Sequence, residues 1–127
     1  MGKVVEKLKL TNAFDARRKL EVEAVIDTGA TMLVLPLAAV RRLNLRKRTT
    51  ATVRYANGKT AVKPVYGIVH LQIGKRVGDF DVLAEDDGGQ ALVGQIVLEQ
   101  LDLVVDPRRK RLIPNPQSPD LPMVEIL

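Results

Sequence analysis

One short stretch, AVIDTGATMLVLP at residues 24–36, constrains the fold more than any other part of the sequence. It places a single carboxylate, that of Asp27, between the apolar residues 24–26 and a second apolar run, Met32–Leu35. We interpret the two apolar runs as strands that enter and leave a loop at residues 27–30. An ionised carboxylate in apolar surroundings is costly unless it is paired or hydrogen-bonded. Asp27 therefore either marks a turn or is kept in this place for chemistry.

The rest of the sequence alternates strand-like runs with turn signals, of which the Asn57-Gly58 pair is the strongest hairpin signal. Further strands are predicted at Val4–Leu10, Leu20–Ile26, Thr49–Tyr55, Thr60–Ile73, Asp79–Ala84, Ala91–Val93, Leu103–Val105 and residues 112–113. Turns are predicted at residues 11–19, 56–59, 74–78, 85–89 and 106–111, and short helices at Leu37–Leu43 and Ile96–Leu101. This order predicts an all-β protein, a closed barrel or sandwich with one or two short helices.

A chain of 127 residues suggests one domain, which we assign to residues 1–113. Residues 114–127 are rich in proline and are predicted to form an extended tail outside the core. The sequence contains no cysteine, which excludes disulfides, thiolate metal sites and a cysteine nucleophile. It contains one histidine, so a single chain cannot form an all-histidine metal site. The acids at residues 85–89 lack the spacing of a calcium loop, and we predict no metal and no cofactor.

No segment approaches the ~18 apolar residues of a membrane span, and the N-terminal residues lack the apolar run of a signal peptide. We therefore expect a cytoplasmic protein with no membrane partner. The net charge is +5, and basic residues cluster at Arg41–Arg48 and Arg108–Arg111. No aromatic residues that could stack on bases are interleaved there. We interpret the clusters as a solvated helix end and a solvated hairpin turn, and do not expect nucleic-acid binding.

Two windows, residues 23–45 and 81–103, repeat the same order of elements. Each runs from a strand through a Gly-containing loop to a short apolar strand, a short helix and a Leu-x-Leu, in which x is Asn44 or Asp102. The repetition suggests a domain built from two related halves. We expect only the first half to carry an acid at its loop, at Asp27.

Three segments, in this order, resemble the retropepsin family of single-domain aspartic proteases. The first is Asp27-Thr28-Gly29-Ala30 between its apolar strands, and the second is the Asn57-Gly58 hairpin at the place of the family's flap. The third is Leu92-Val93-Gly94, followed by the predicted helix Ile96–Leu101. The resemblance spans about residues 4–113. The ending LDLVVDPRRKRLIP is similar to the bacterial and archaeal branch of the family.

The resemblance implies the acid protease fold and an aspartic endopeptidase that acts as a homodimer on a peptide or protein substrate. One D-T-G per chain implies that Asp27 of each subunit meets its mate at a two-fold axis and activates a water. Thr28 would hydrogen-bond across that axis, and Gly29 would let the backbone approach partner and substrate. The implied catalytic residues are Asp27, Thr28 and Gly29, and the implied substrate-binding residues are Ala30, Thr31, Tyr55, Ala56, Asn57, Gly58, Lys59, Val93 and Gly94.

The sequence departs from the retroviral pattern at Thr31 and Gln95, where retroviral members usually carry an acid and an arginine that pair. Its hairpin also has a single glycine where retroviral flaps have several. We expect the apolar end Val124–Leu127 to pair with the other subunit. Two alternative functions stay open: an inactive retropepsin-like module that binds peptides or dimerises, and a basic β domain that binds nucleic acid.

Overall fold

The computed structural model describes residues 3–126. Within this range the strands are β1 (Val5–Asn12), β2 (Asp15–Ile26), β3 (Leu33–Pro36), β4 (Arg46–Arg54), β5 (Thr60–Ile73), β6 (Arg76–Glu85), β7 (Ala91–Val93), β8 (Leu103–Asp106) and β9 (Arg111–Pro114). The helices are α1 (Leu37–Arg42) and α2 (Gln95–Leu101). The strand-rich order with two short helices is the predicted one.

The main sheet closes on itself. Its strands follow the order β1-β2-β7-β3-β6-β5-β4, and β1 also pairs with β5, so that six strands form a ring to which β4 is added. Inside the ring lie fully buried side chains such as Leu8, Leu35, Leu71 and Val93. Along β5 the residues alternate between buried and half-exposed positions, as expected for a strand with one face on a core. The predicted closed β-barrel is confirmed.

The two related halves are visible in the strand register. β2 runs parallel to β7 with Ile26 beside Val93, and β3 runs parallel to β6 with Leu35 beside Ala84. Adding 58 to Ile26 gives Ala84, and subtracting 58 from Val93 gives Leu35, so the two pairings are equivalent. The predicted repeat of residues 23–45 at 81–103 is therefore a structural repeat.

The same shift relates the ends of the two helices. Asn44 and Asp102 each follow a helix and adopt the left-handed conformation, with φ of 52° and 54°. Such a residue ends a helix by satisfying its last carbonyls. The expectation that only the first half carries an acid at its loop is wrong, because Glu85 stands 58 residues after Asp27 at the same strand end.

Two predicted turns are shorter than expected. The turn at residues 11–19 is reduced to residues 13–14, because the buried side chain of Asn12 accepts a hydrogen bond from the Phe14 N–H and donates one to the Leu43 carbonyl. The turn at residues 74–78 is reduced to residues 74–75. Arg76 already belongs to β6 and is buried there at 5% exposure.

Residues 115–126 contain no strand or helix and are hydrogen-bonded to Asp102 at the end of α2. The Asp102 carboxylate accepts hydrogen bonds from the Ser118 hydroxyl, from the Asn115 side-chain amide at 3.0 Å and from the Met123 N–H at 3.0 Å. The buried Arg76 guanidinium donates to the carbonyls of Leu101 and Ser118. The extended tail is thus bound to the domain up to Met123. Leu127, part of the segment expected to pair with a second subunit, lies outside the described residues.

The basic clusters are exposed. Arg41 and Arg42 end α1, whereas residues 46–48 begin β4, which corrects the expectation that the whole first cluster is a helix end. Residues 108–110 form the turn between β8 and β9, as predicted. In the part of the chain that the structure describes, no helix has the length and apolar character needed to cross a membrane.

Candidate active site

The loop that follows β2 holds Asp27 half-buried at the surface of the ring. The Asp27 N–H donates to the Val93 carbonyl at 3.0 Å, and its own carbonyl accepts from the Ala30 N–H at 3.0 Å. Its carboxylate accepts a hydrogen bond from the Gly29 N–H at 3.0 Å. The backbone on both sides is therefore fixed, and the carboxylate is held in one orientation at the edge of solvent.

The loop is also bonded to the start of α2. The N–H groups of Gln95 and Ile96 donate to the carbonyls of Ala30 and Thr31 at 2.8 and 2.9 Å. These are N–H groups that a helix leaves without an internal partner, so the loop caps the helix. The site residues predicted around Asp27 thus form one connected unit with Val93 and Gly94.

Gly94 is required by this close approach. A Cβ on Gly94 would lie 2.6 Å from the Thr31 carbonyl carbon and 2.7 Å from the Met32 nitrogen. Such contacts with backbone atoms leave no room for a side chain. A Cβ on Gly29 would meet only the Asp27 Oδ1 atom, at 3.3 Å.

Thr28 is exposed and lies beside a shallow groove of about 290 Å³. The groove is lined by Thr28, Gln95, Leu98, Glu99, Asp102 and residues 103–105. Strand β8 forms one wall, and within residues 3–126 it pairs with β9 alone. Val104 of β8 exposes 36% of its surface there. An exposed threonine and an open strand edge thus share one surface.

The predicted flap residues occupy the tip of the β4–β5 hairpin. The tip is closed by hydrogen bonds from the Tyr55 N–H to the Lys59 carbonyl and from the Gly58 N–H to the Tyr55 carbonyl, at 2.8 and 2.9 Å. Gly58 has φ of 83°, which a glycine adopts without strain. Ala56 and Asn57 are exposed in the turn between them. The structure therefore places residues 55–59 together, on an element separate from the Asp27 loop.

The side chain of Tyr55 reaches the body of the domain. Its hydroxyl donates to Glu85 Oε2 at 2.8 Å, and Glu85 Oε1 forms an ion pair with Lys63 Nζ at 3.0 Å. Accepting this bond, Glu85 raises the pKa of the Tyr55 hydroxyl, and the same carboxylate raises the pKa of the Lys63 ammonium. Sequence reasoning missed Lys63 and Glu85, because the acids at residues 85–89 were interpreted as turn formers.

The other acids of this loop also have specific partners. Asp86 pairs with Lys63 at 3.4 Å, and the Asp87 carboxylate accepts from the Ala38 N–H at 2.7 Å at the start of α1. The repeat of 58 residues is the sequence signal that could have identified Glu85. His70 is half-exposed and pairs with Asp79 at 2.8 Å on the outside of the ring, consistent with a surface position.

No group of three or more His, Cys, Asp or Glu side chains within residues 3–126 is arranged to hold a metal ion.

The family is shown by the sequence itself. The family model described as "gag-polyprotein putative aspartyl protease" matches residues 17–106, which is more than half of the chain. The chain belongs to this family of retropepsin-like aspartic proteases. The match includes the Asp27 loop, the β4–β5 hairpin and α2.

The fold agrees with this assignment. EIAV protease, solved in complex with the inhibitor HBY-793, aligns with a TM-score of 0.61 and 20% sequence identity. The alignment covers 79% of this chain and 88% of that chain. No curated protein matches the sequence. The retropepsin-like fold predicted from the three segments is confirmed.

Proposed function

We propose that the protein is an aspartic endopeptidase that acts as a homodimer, with Asp27 of each subunit forming the catalytic pair. The observation that carries the proposal is the Asp27 loop: it is held by hydrogen bonds to Val93 and α2, and presents one carboxylate at the surface. Membership of the aspartic protease family supports assigning the catalytic role to this carboxylate.

One carboxylate does not suffice for the reaction. Two carboxylates so close together share one proton, because their like charges do not both ionise. The pair then holds a water between them. The ionised one removes a proton from the water as it attacks the peptide carbonyl. The protonated one hydrogen-bonds the carbonyl oxygen and then supplies a proton to the leaving nitrogen. Since the two groups titrate as a coupled pair, the pH profile of cleavage belongs to the pair.

A two-fold axis beside the loop supplies the second carboxylate, because a single surface then serves both subunits. We place this axis next to Thr28 and the exposed edge of β8. Two β8 edges facing each other would extend each two-stranded sheet into a continuous one across the axis. Val124 of the tail, 75% exposed, lines a groove together with residues of α2, and Ile126 is 91% exposed. These apolar side chains would add to the contact.

The remaining site residues acquire their roles from this arrangement. Thr28 hydrogen-bonds across the axis, and Gly29 and Ala30 leave space for a substrate backbone beside the Asp27 carboxylate. The β4–β5 hairpin acts as the flap, with residues 55–59 covering a peptide bound as an added strand. Thr31 is exposed beside the loop, whereas Val93 and Gly94, predicted to bind substrate, are buried behind the loop and support it instead. A cytoplasmic location stays a prediction from the sequence.

The test is cleavage of a diverse pool of unstructured peptides from about pH 4 to 7, read by mass spectrometry. We expect wild-type protein to cut and the Asp27→Asn variant to be inactive. Sedimentation of both proteins at the assay concentration reports whether they are dimers. Cleavage by both proteins would refute the role of Asp27.

A dimer that binds peptides but cuts none under any of these conditions would favour the inactive peptide-binding module over the enzyme. The assay thus distinguishes the active endopeptidase from the inactive peptide-binding module.

A further inference from the structure

The carboxylate of Glu85, on β6 of the ring, contacts both sides of the β4–β5 hairpin through a hydrogen bond and an ion pair. Tyr55 follows the end of β4 and donates to Glu85 Oε2, whereas Lys63 lies on β5 and pairs with Glu85 Oε1. The two side chains of the ion pair are mostly enclosed, with 17% of Lys63 and 26% of Glu85 exposed. By contrast, the His70–Asp79 pair is open to solvent at 42% and 60%. Less solvent between the charges strengthens the interaction.

Glu85 itself is held firmly. It is the last residue of β6, where it lies beside Pro36 of β3 in the closed ring. Two residues later, Asp87 accepts a hydrogen bond from the Ala38 N–H of α1. The hairpin is therefore bonded to a fixed point of the domain.

The strand ladders are irregular at the base of the hairpin. The ladder between β4 and β5 shifts register between Lys47 and Thr49, and the ladder between β5 and β6 shifts between Tyr66 and Val69. Irregular ladders concentrate bending, because local pairing is lost there. β5 stays paired with β6 as far as Val65, opposite Leu83. From Pro64 to the tip the hairpin is a regular two-stranded ribbon, which can bend about this level. The bonds to Glu85 lie on the far side of that base.

The underside of the hairpin packs on the same apolar cluster as residues next to the Asp27 loop. Ala51 and Val53 of β4 pack against a small buried apolar cluster, and Met32 and Leu92 pack against the same cluster. Its members are Val34, Val65 and Leu83. Met32 leaves the Asp27 loop, and Leu92 precedes the residue that accepts the Asp27 N–H. The height of the hairpin above the loop is thus fixed by an apolar contact below and by Glu85 at the tip.

We propose that Glu85 is a positioning residue that holds the flap over the Asp27 loop through Tyr55 and Lys63. It sets the fraction of molecules in which the flap is ready to cover a peptide. The proposal rests on the proposed function in one respect, that the covered ligand is a peptide substrate. Its first test does not depend on cleavage.

The test is hydrogen exchange of the backbone N–H groups of Tyr55, Gly58 and Lys59 in wild type and in Tyr55→Phe. Loss of one hydrogen bond to a carboxylate should speed exchange at the tip about 3- to 10-fold, with exchange in the ring unchanged. Tyr66→Phe is the matched control, because it removes the same atom from a β5 tyrosine that is not bonded to Glu85. Equal exchange at the tip in the two variants would overturn the proposal.

A double-mutant cycle identifies the partner. In a Glu85→Ala background, adding Tyr55→Phe should cause no further change, since the two residues act through one bond. An undiminished effect of Tyr55→Phe in that background would show that Tyr55 acts without Glu85. If Glu85→Ala does not fold, Lys63→Met replaces it and should speed tip exchange by a similar factor.

Kinetics then connect the contact to the reaction. For a peptide that wild type cleaves, Tyr55→Phe should raise KM about 3- to 10-fold and change kcat less than twofold, because the chemical groups are untouched. A fall in kcat at constant KM would contradict a positioning role. If wild type cleaves nothing, the proposed function fails, whereas the exchange experiment still decides whether Glu85 holds the hairpin.

Discussion

The loop after β2 and the loop after β6 occupy equivalent places in the two halves of the ring, yet they use their acids differently. Asp27 follows β2 and faces solvent with one hydrogen bond from its own loop. Glu85, 58 residues later, ends β6 and is engaged by a tyrosine and a lysine of the hairpin. The same backbone position thus carries an available carboxylate in one half and a structural one in the other. The partners brought by neighbouring strands decide the role.

The elements that follow the two helices differ in the same way. After α1 the chain forms β4 and the long hairpin that we propose as the flap, and after α2 it forms β8 and a short hairpin. The first hairpin extends the ring, whereas the second stands as a separate two-stranded sheet. In the proposed dimer one repeat unit therefore covers the substrate and the other joins the subunits.

The largest expected effect comes from neutralising the two equivalent acids. Asp27→Asn should reduce kcat/KM by roughly 1,000-fold or more, because it removes the group that activates the water. Glu85→Gln should reduce it by no more than about tenfold, because the flap is loosened and the chemistry is kept. Steady-state kinetics on one cleaved peptide compare the two. Abolished cleavage in a folded Glu85→Gln variant would break the distinction between them.

The next effect concerns the residues that precede the helices, Gly94 and its counterpart Pro36. Gly94→Ala should destabilise the protein by about 3 kcal/mol, because the added Cβ meets the backbone of Thr31 and Met32. Pro36→Ala should cost no more than about 1 kcal/mol, mainly through a more flexible unfolded chain. Urea denaturation followed by circular dichroism measures both. Similar costs would mean that the backbone is packed equally tightly around residue 94 and around residue 36.

A smaller effect is expected for the subunit contact. Val104→Lys should weaken dimerisation about tenfold or more, because it places a charge at a surface that becomes buried. Val77→Lys is the control, since Val77 is also an exposed valine but lies on β6, outside the groove beside Thr28. Sedimentation across a concentration series gives both dissociation constants. Equal weakening by the two variants would place the contact elsewhere.

The smallest effect separates Asp102 from its counterpart Asn44. The Ser118 hydroxyl, the Met123 N–H and the Asn115 amide hold the pKa of the Asp102 carboxyl below its usual value of 3.8. A lowered pKa stabilises the folded state above the unfolded value, and this stabilisation is lost as pH falls below 3.8 through the folded pKa.

Asp102→Asn keeps a residue suited to the left-handed conformation and removes the charge. It should be less stable than wild type at neutral pH, and the difference should shrink below about pH 3.8. Thermal unfolding at a series of pH values measures this difference. A constant difference across the series would show that the charge of Asp102 contributes nothing.

Much of this architecture could be predicted from local sequence. The apolar runs around Asp27, the Asn57-Gly58 turn and the glycine before α2 each depend on neighbouring residues, and the structure places them as expected. The roles of Glu85 and Asp102 could not be predicted in this way. Their partners lie 13 to 30 residues away, as with Tyr55 and Asn115, and are set by strand register. Local composition predicted Glu85 only as a turn former, and Asp102 only as the middle residue of a Leu-x-Leu sequence.

The closure of the ring through β1 and β5 also bears on how the protein is made. β1 finds its second partner only at Val69–Gln72, and β2 finds its parallel partner only at Ala91–Val93. The Leu112 N–H donates to the Glu6 carboxylate across 106 residues. Contacts so distant in sequence slow folding, because the chain loses entropy before they form. During synthesis the ring therefore closes only after the strands of the second half have been made, because they complete the pairing of β1 and β2.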